Sequence, residues 1–216
     1  MTLVPEGYDI LASQADRSGN TLASGKGTRG AVIAPLRNRL GLPSVGGRDN
    51  VRRVPSLSAE KRFAILCEIV RAQHFAWREA VAELCPDVPA DEVATRMWQL
   101  TGVATGRAYA KHADPEAPLA AQAAQSVVFS SQCMGEDAVA EVHDAEAFVR
   151  HDDCPWYDWH DRKGLLAEDR PGCDAWFAST LETLGASMGQ RIHFETLEAL
   201  PEGGRCCRRR IWVDEE

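Results

Sequence analysis

The sequence predicts an α+β fold. Three N-terminal helices precede a small antiparallel sheet of about four strands, built from two hairpins separated by two helices. Three observations predict it. Apolar residues recur at helical spacing between about 58 and 134. Past Gly135 the pattern changes to short alternating segments. Those segments fall into two pairs, each joined by a turn signal, and hairpins of this kind pair antiparallel.

The elements follow in order. Residues 1–55 are rich in Gly, Ser, Arg and Pro, with the composition of a flexible N-terminal arm. Residues 31–42 (AVIAPLRNRLGL) carry enough apolar side chains to dock somewhere. The segment reads either as a tail or as an arm that joins a homo-oligomer by packing on a neighbouring subunit. Residues 56–216 then read as one α+β domain. Ser58 is a suitable N-cap, with Glu60 in the first turn. Phe63, Leu66, Val70, Trp77, Val81 and Leu84 continue that helix, and Pro86 and Pro89 stop it. Asp91 opens a second helix to about 111, and a third runs from about 119 to 134. Residues 138–143 and 145–150 form the first expected hairpin. Residues 154–163 and 171–186 look helical, with Asp153 capping the first and Pro171 or Gly172 starting the second. Residues 191–197 and 206–213 form the second hairpin.

Composition narrows the function classes. Hydrophobic residues are 44% and charged residues 26% of the 216, as in a globular domain. The net charge of −8 is uneven. Residues 1–62 hold 10 Lys/Arg against 5 Asp/Glu, and residues 63–216 hold 14 against 27. An acidic body disfavours nucleic acid, since phosphate neutralisation needs clustered Lys and Arg. No apolar segment approaches the roughly 20 residues that span a bilayer. With no secretory signal, the seven cysteines point to a reducing cytoplasm and to thiols that are free, metal-bound or catalytic.

The chemistry concentrates in 148–176, FVRHDDCPWYDWHDRKGLLAEDRPGCDAW. His151 and Cys154 are spaced to ligate one ion across a turn. Cys173 lies near a helix start and Cys207 on the last strand. These four suit zinc or another divalent thiophilic metal, and equally suit ordinary buried thiols beside a hydrogen-bonded histidine. A second reading makes Cys173 a thiolate stabilised by its helix N-terminus, with His151 or His160 as base. Trp156, Tyr157 and Trp159 fall within one helical turn, lining a ligand pocket or anchoring their helix on the sheet. Alternation along the last strand puts Cys207, Arg209, Ile211 and Val213 on the covered face, and Cys206, Arg208, Arg210 and Trp212 on the other. An inward Arg209 needs an anion, either a substrate carboxylate or an internal acid such as Glu195 or Asp153.

The segments HDDCPWYDWHDR, GCDAW and ETLEALPEGGRCCRRRIWV are together similar to the L-2-amino-thiazoline-4-carboxylic acid hydrolase family. The matching positions are Cys154, Pro155 and Trp156, then Cys173, then Gly203 and Cys207. Gly204 stands where that family has Asp. The resemblance implies a small-molecule hydrolase. The leading expectation is therefore a thiolate-rich, metal-dependent hydrolase acting on a small carboxylated or cyclic substrate. Cys154, Cys173, Cys207 and His151 would hold the ion. His160 would be the acid/base, with Cys173 the catalytic thiol in the thiolate reading. Arg209 would anchor the substrate, with Trp156, Tyr157 and Trp159 beside it. The alternatives are a metal-assisted lyase acting on an aromatic molecule, and a non-catalytic sensor module binding a small molecule or metal.

Overall fold

The computed structural model of the chain describes residues 56–143 and 145–214. The arm expected over 1–55, with its subunit-joining reading, lies outside the described residues. Helix α1 spans Ala59–Leu84, α2 Ala90–Ala110 and α3 Leu119–Cys133. Strands β1 (Asp137–His143) and β2 (Glu146–Asp153) follow, then α4 (Pro155–Lys163) and α5 (Leu166–Met188). Strand β3 (Ile192–Glu198) leads through a 3-10 turn, Leu200–Glu202, to β4 (Cys207–Val213). The order is the one the sequence predicts.

Three boundaries differ, and each moves a site residue. Strand β2 runs to Asp153, so His151 lies on a strand and not in a turn. Cys154, not Asp153, occupies the N-cap of α4, and Pro155 follows in the first turn, where a missing N–H costs nothing. Helix α5 begins at Leu166 and carries Pro171 inside it. Glu168 and Asp169 occupy its first turn, where the macrodipole favours anions. Cys173 is consequently in the third turn, away from the helix N-terminus.

The sheet is antiparallel throughout, in the order β1-β2-β4-β3. Residues paired directly across strands share a face. Ala147 pairs with Ile211, Val149 with Arg209 and His151 with Cys207, so all six point the same way. That face is covered by α3 and α5. Ala123, Ala124 and Val127 of α3 and Phe177, Leu181 and Leu184 of α5 close the core over Ala147, Val149 and Ile211. Each large apolar side chain buried there contributes on the order of 1.5–3 kcal/mol. The opposite face is polar: Arg208 reaches Glu141, Arg210 reaches Glu146, and His193 stacks on Trp212.

Helix α2 lies flush on α5 because Gly102 and Gly106 offer no side chain. A Cβ on Gly102 would stand 2.7 Å from the Trp176 carbonyl oxygen, and one on Gly106 would strike the Thr180 carbonyl oxygen. Helix α1 buries only Cys67, Arg71 and Phe75 of its 26 residues. Among the described residues no helix is long and apolar enough to cross a membrane.

Candidate functional site

The inner face of the sheet ends in a polar cluster rather than in apolar core. Its members come from the ends of β2 and β4, the first three turns of α5, the N-cap of α4 and the α3–β1 connection.

Arg209 points inward as alternation predicts and is 2% exposed. Its partner is Asp174 of α5, not Glu195 or Asp153. Asp174 Oδ1 accepts from Arg209 Nη2 at 3.1 Å, from Arg209 Nε at 3.3 Å and from the Thr196 hydroxyl at 2.9 Å. The guanidinium lies 4.4 Å over the Phe177 ring. Burial alone would lower the Arg209 pKa, but Cys173, Asp174 and Cys207 outweigh it and hold the group charged. The internal acid therefore occupies the position that a substrate carboxylate would have taken.

His151 is buried opposite Cys207. Its Nε2 lies 2.8 Å from the Ser131 hydroxyl oxygen and 3.3 Å from Glu136 Oε2, while its Nδ1 has no hydrogen-bond partner. Glu136 Oε1 accepts from Trp156 Nε1 at 3.0 Å.

The three predicted thiols share one electrostatic neighbourhood. Burial pushes the Cys173 thiol up to about 12. Arg209 opposes that shift, while Asp169, Glu136 and Cys207 add to it. Burial also raises Cys154 strongly, with Glu136, Cys173 and Asp169 adding to it, and the Tyr157 backbone N–H opposing it. Cys207 is raised by burial, and its Sγ accepts the Leu200 N–H at 3.4 Å. The thiolate expected of Cys173 is thus disfavoured: the third turn of a helix lacks free N–H groups, and burial dominates. Asp169 lies one turn before Cys173 on the same face of α5, 8% exposed. Its Oδ2 is 3.0 Å from His160 Nδ1 but receives no well-aimed hydrogen bond. The His160 Nδ1–H instead donates to the Trp156 carbonyl at 2.9 Å. Among the described residues no group of three or more His, Cys, Asp or Glu side chains stands in metal-ligating arrangement.

The tryptophans belong elsewhere. Trp156 packs edge-on against His74 and Trp98, and Trp159 stacks on Phe75 at 5.4 Å. They anchor α4 on α1 and α2, not on the sheet. Trp159 also borders a surface groove with Ile65, Ile69 and Ala72 of α1. Tyr157 is half-buried. Cys206 is also buried, contrary to a surface position, and its thiol donates to Glu198 at 3.5 Å.

Sequence reasoning missed Glu136, Asp169, Asp174 and His74. The spacing of Asp169 and Cys173, four apart, would have signalled a shared face had Pro171 not been read as a helix start.

No protein-family model matches the chain, and no curated protein matches it. Solved structures do. One is a trafficking protein particle complex subunit 3 from Naegleria fowleri covalently bound to palmitic acid, at 14% identity and TM-score 0.47, covering 70% of this chain and 97% of that one. A second is the phenol-responsive sensory domain of the transcription activator PoxR with phenol, at 16% and 0.46, covering 66% and 73%. A third is an H-NOX protein from S. oneidensis in the Fe(II)NO ligation state, at 11% and 0.39, covering 78% and 83%. Likeness at this level carries no argument about function, and none of the three is the hydrolase family that the C-terminal motifs resemble.

Proposed function

We propose that this domain is a non-catalytic binding module whose buried centre takes a soft divalent cation such as zinc. The observation that carries this reading is the company of Asp169. Asp169 Oδ2 is buried without a hydrogen bond, and burial first, with the charge of Asp169 adding to it, disfavours the thiolate forms of Cys154, Cys173 and Cys207. A cation would relieve all of these at once, and thiols with a carboxylate suit a borderline-soft metal, but it would have to draw together side chains that do not stand in metal-ligating arrangement without it. When bound, zinc would hold the three sulfurs as thiolates. His151 is not in the proposed donor set, because its Nε2 is bonded to Ser131 and Glu136; it orients Glu136 instead. Asp174 and Arg209 close the inner side of the centre. A cleft of about 370 Å³ between Pro171 and Pro201, edged by Arg170, Asp174 and Glu202, is where a small molecule would meet it.

The hydrolase reading rests on the motif resemblance and the cysteine and histidine set, and the lyase reading on the cluster of Trp156, Tyr157 and Trp159. They lack an activated nucleophile: the thiols are held protonated, His160 is committed to Trp156, and among the described residues no cysteine is hydrogen-bonded to a histidine.

Metal content of the purified full chain, after zinc loading and dialysis, tests the proposal. About one zinc per chain, lost in Cys154→Ser, Cys173→Ser and Asp169→Asn but kept in Cys206→Ser, supports it. No retained zinc, or retention that ignores these substitutions, refutes it.

A further inference from the structure

Helix α1 carries a second apolar stripe that the fold does not use. Its buried residues Cys67, Arg71 and Phe75 face the domain. About a third of a turn away, Ala59, Phe63, Leu66, Val70, Gln73, Trp77, Ala80 and Leu84 recur with alternating spacings of four and three. That is the a/d repeat with which one helix packs along another. The stripe is open: Phe63 is 41%, Leu66 58%, Trp77 70% and Leu84 80% exposed. Among the described residues it is left largely uncovered, with Val70 partly buried. A helix apolar on more than one side is normally enclosed.

We propose that this stripe pairs with the same stripe of a second copy of the chain, antiparallel, about a two-fold axis near Gln73. Two features of the sequence select this occupant. The first is size. Antiparallel packing sets Ala59 against Leu84 of the other copy, Phe63 against Ala80, Leu66 against Trp77 and Val70 against Gln73. Two of these four layers join a large side chain to an alanine, and the same layers recur on the other side of the axis. The second is charge. Arg62 and Glu83, both exposed, flank opposite ends of the stripe. Antiparallel pairing brings Arg62 of each copy to Glu83 of the other. Parallel pairing would instead stack Trp77 on Trp77 and leave Arg62 and Glu83 at opposite ends, out of reach of one another. A two-fold, self-complementary contact closes at two copies. The helix, about 39 Å long at 1.5 Å per residue, supplies a seam of roughly seven turns.

Sedimentation velocity of the full chain at micromolar concentration and low salt tests this. The expected result is a dimer, with Trp77→Asp monomeric at unchanged helical circular dichroism. Arg62→Glu alone and Glu83→Arg alone should each weaken dimerisation roughly fivefold, and the two together should restore it, because the pairs are intermolecular. Leu66→Asp provides a second disruption should Trp77→Asp fold poorly. A monomeric full chain overturns the proposal, including the case where residues 1–55 cover the stripe in cis. So does a dimer indifferent to both Asp substitutions, or a double charge reversal that fails to restore pairing.

Discussion

The stretch 148–176 serves two regions of unlike chemistry, and the short helix α4 divides them. On one side lie the thiols and carboxylates at the sheet end, where Cys173, Cys207 and Asp174 interact with Arg209, with Asp169 and Cys154 nearby. On the other lies an aromatic cluster in which Trp156 and Trp159 meet His74, Phe75 and Trp98. The aromatic side has its polar tips met: Trp156 donates to Glu136 and Trp159 to Glu68. The polar side has buried atoms without donors and thiols held protonated. Groups that satisfy one another make a joint between helices. Groups that disfavour one another's charged forms are where the proposed cation would sit. The crowding of Cys, His and Trp that marks this stretch in the sequence therefore reflects two structures, not one.

The comparison can be broken or sharpened by experiment. The largest effect is expected at Arg209. Arg209→Ala empties a wholly buried site over Phe177 and removes the bonds to Asp174, and should cost about 3–5 kcal/mol in denaturant unfolding. A loss below about 1 kcal/mol would show that the polar side tolerates unpaired charge and needs no cation. Phe75→Ala removes a side chain 2% exposed that joins α1 to α4. It should cost about 3 kcal/mol while leaving zinc content intact. Loss of zinc in that variant would merge the two regions.

Acid offers a third test. Burial, with His160 beside it, lowers His74 to about 4, from 6.5. The folded protein then holds fewer protons at His74 than the unfolded chain, so stability present above pH 6.5 is lost as pH falls toward 4. The amount is on the order of 2–3 kcal/mol. His74→Phe should flatten that slope in a pH series of melts. On the alkaline side the sign reverses. Cys173 is raised to about 12, so metal-free protein should lose stability as pH climbs from 9 toward 12. Cys173→Ser should remove part of that loss.

The smallest effect is at Cys206. Serine keeps the bond to Glu198 and nearly the size of the thiol, so Cys206→Ser should cost no more than about 1 kcal/mol. Cys207→Ser should be similar in stability yet lose zinc. Matching zinc loss in both variants would show that the strand register does not select between the neighbours.

Much of the fold was legible because its signals are local. Gly135 marks the change from helical to alternating pattern. Ile211 and Val213 tell which face of β4 is covered, and so turn Arg209 inward before any coordinates. The site was legible only in part, because its partners are distant in sequence. Asp174 answers Arg209 from another element, and Glu136 reaches His151 and Trp156 from a connection. His74 and Trp98 meet Trp156 only once α1 and α2 have packed. Pro171 misled outright: it reads as a helix start, and the five residues before it carry the Asp169 that lies on Cys173's face.

The central claim is that three sulfurs and a carboxylate share one cation. Cobalt(II) added to metal-free protein reports this directly, because thiolate-to-cobalt charge transfer grows with each sulfur bound. The account predicts a tetrahedral spectrum with one equivalent of cobalt. Its charge-transfer band should fall by at least a third, or vanish with the metal, in each of Cys154→Ser, Cys173→Ser and Cys207→Ser, and should be unchanged in Cys206→Ser and His151→Gln. An octahedral spectrum without charge transfer, or a band that survives all three serines, would contradict it.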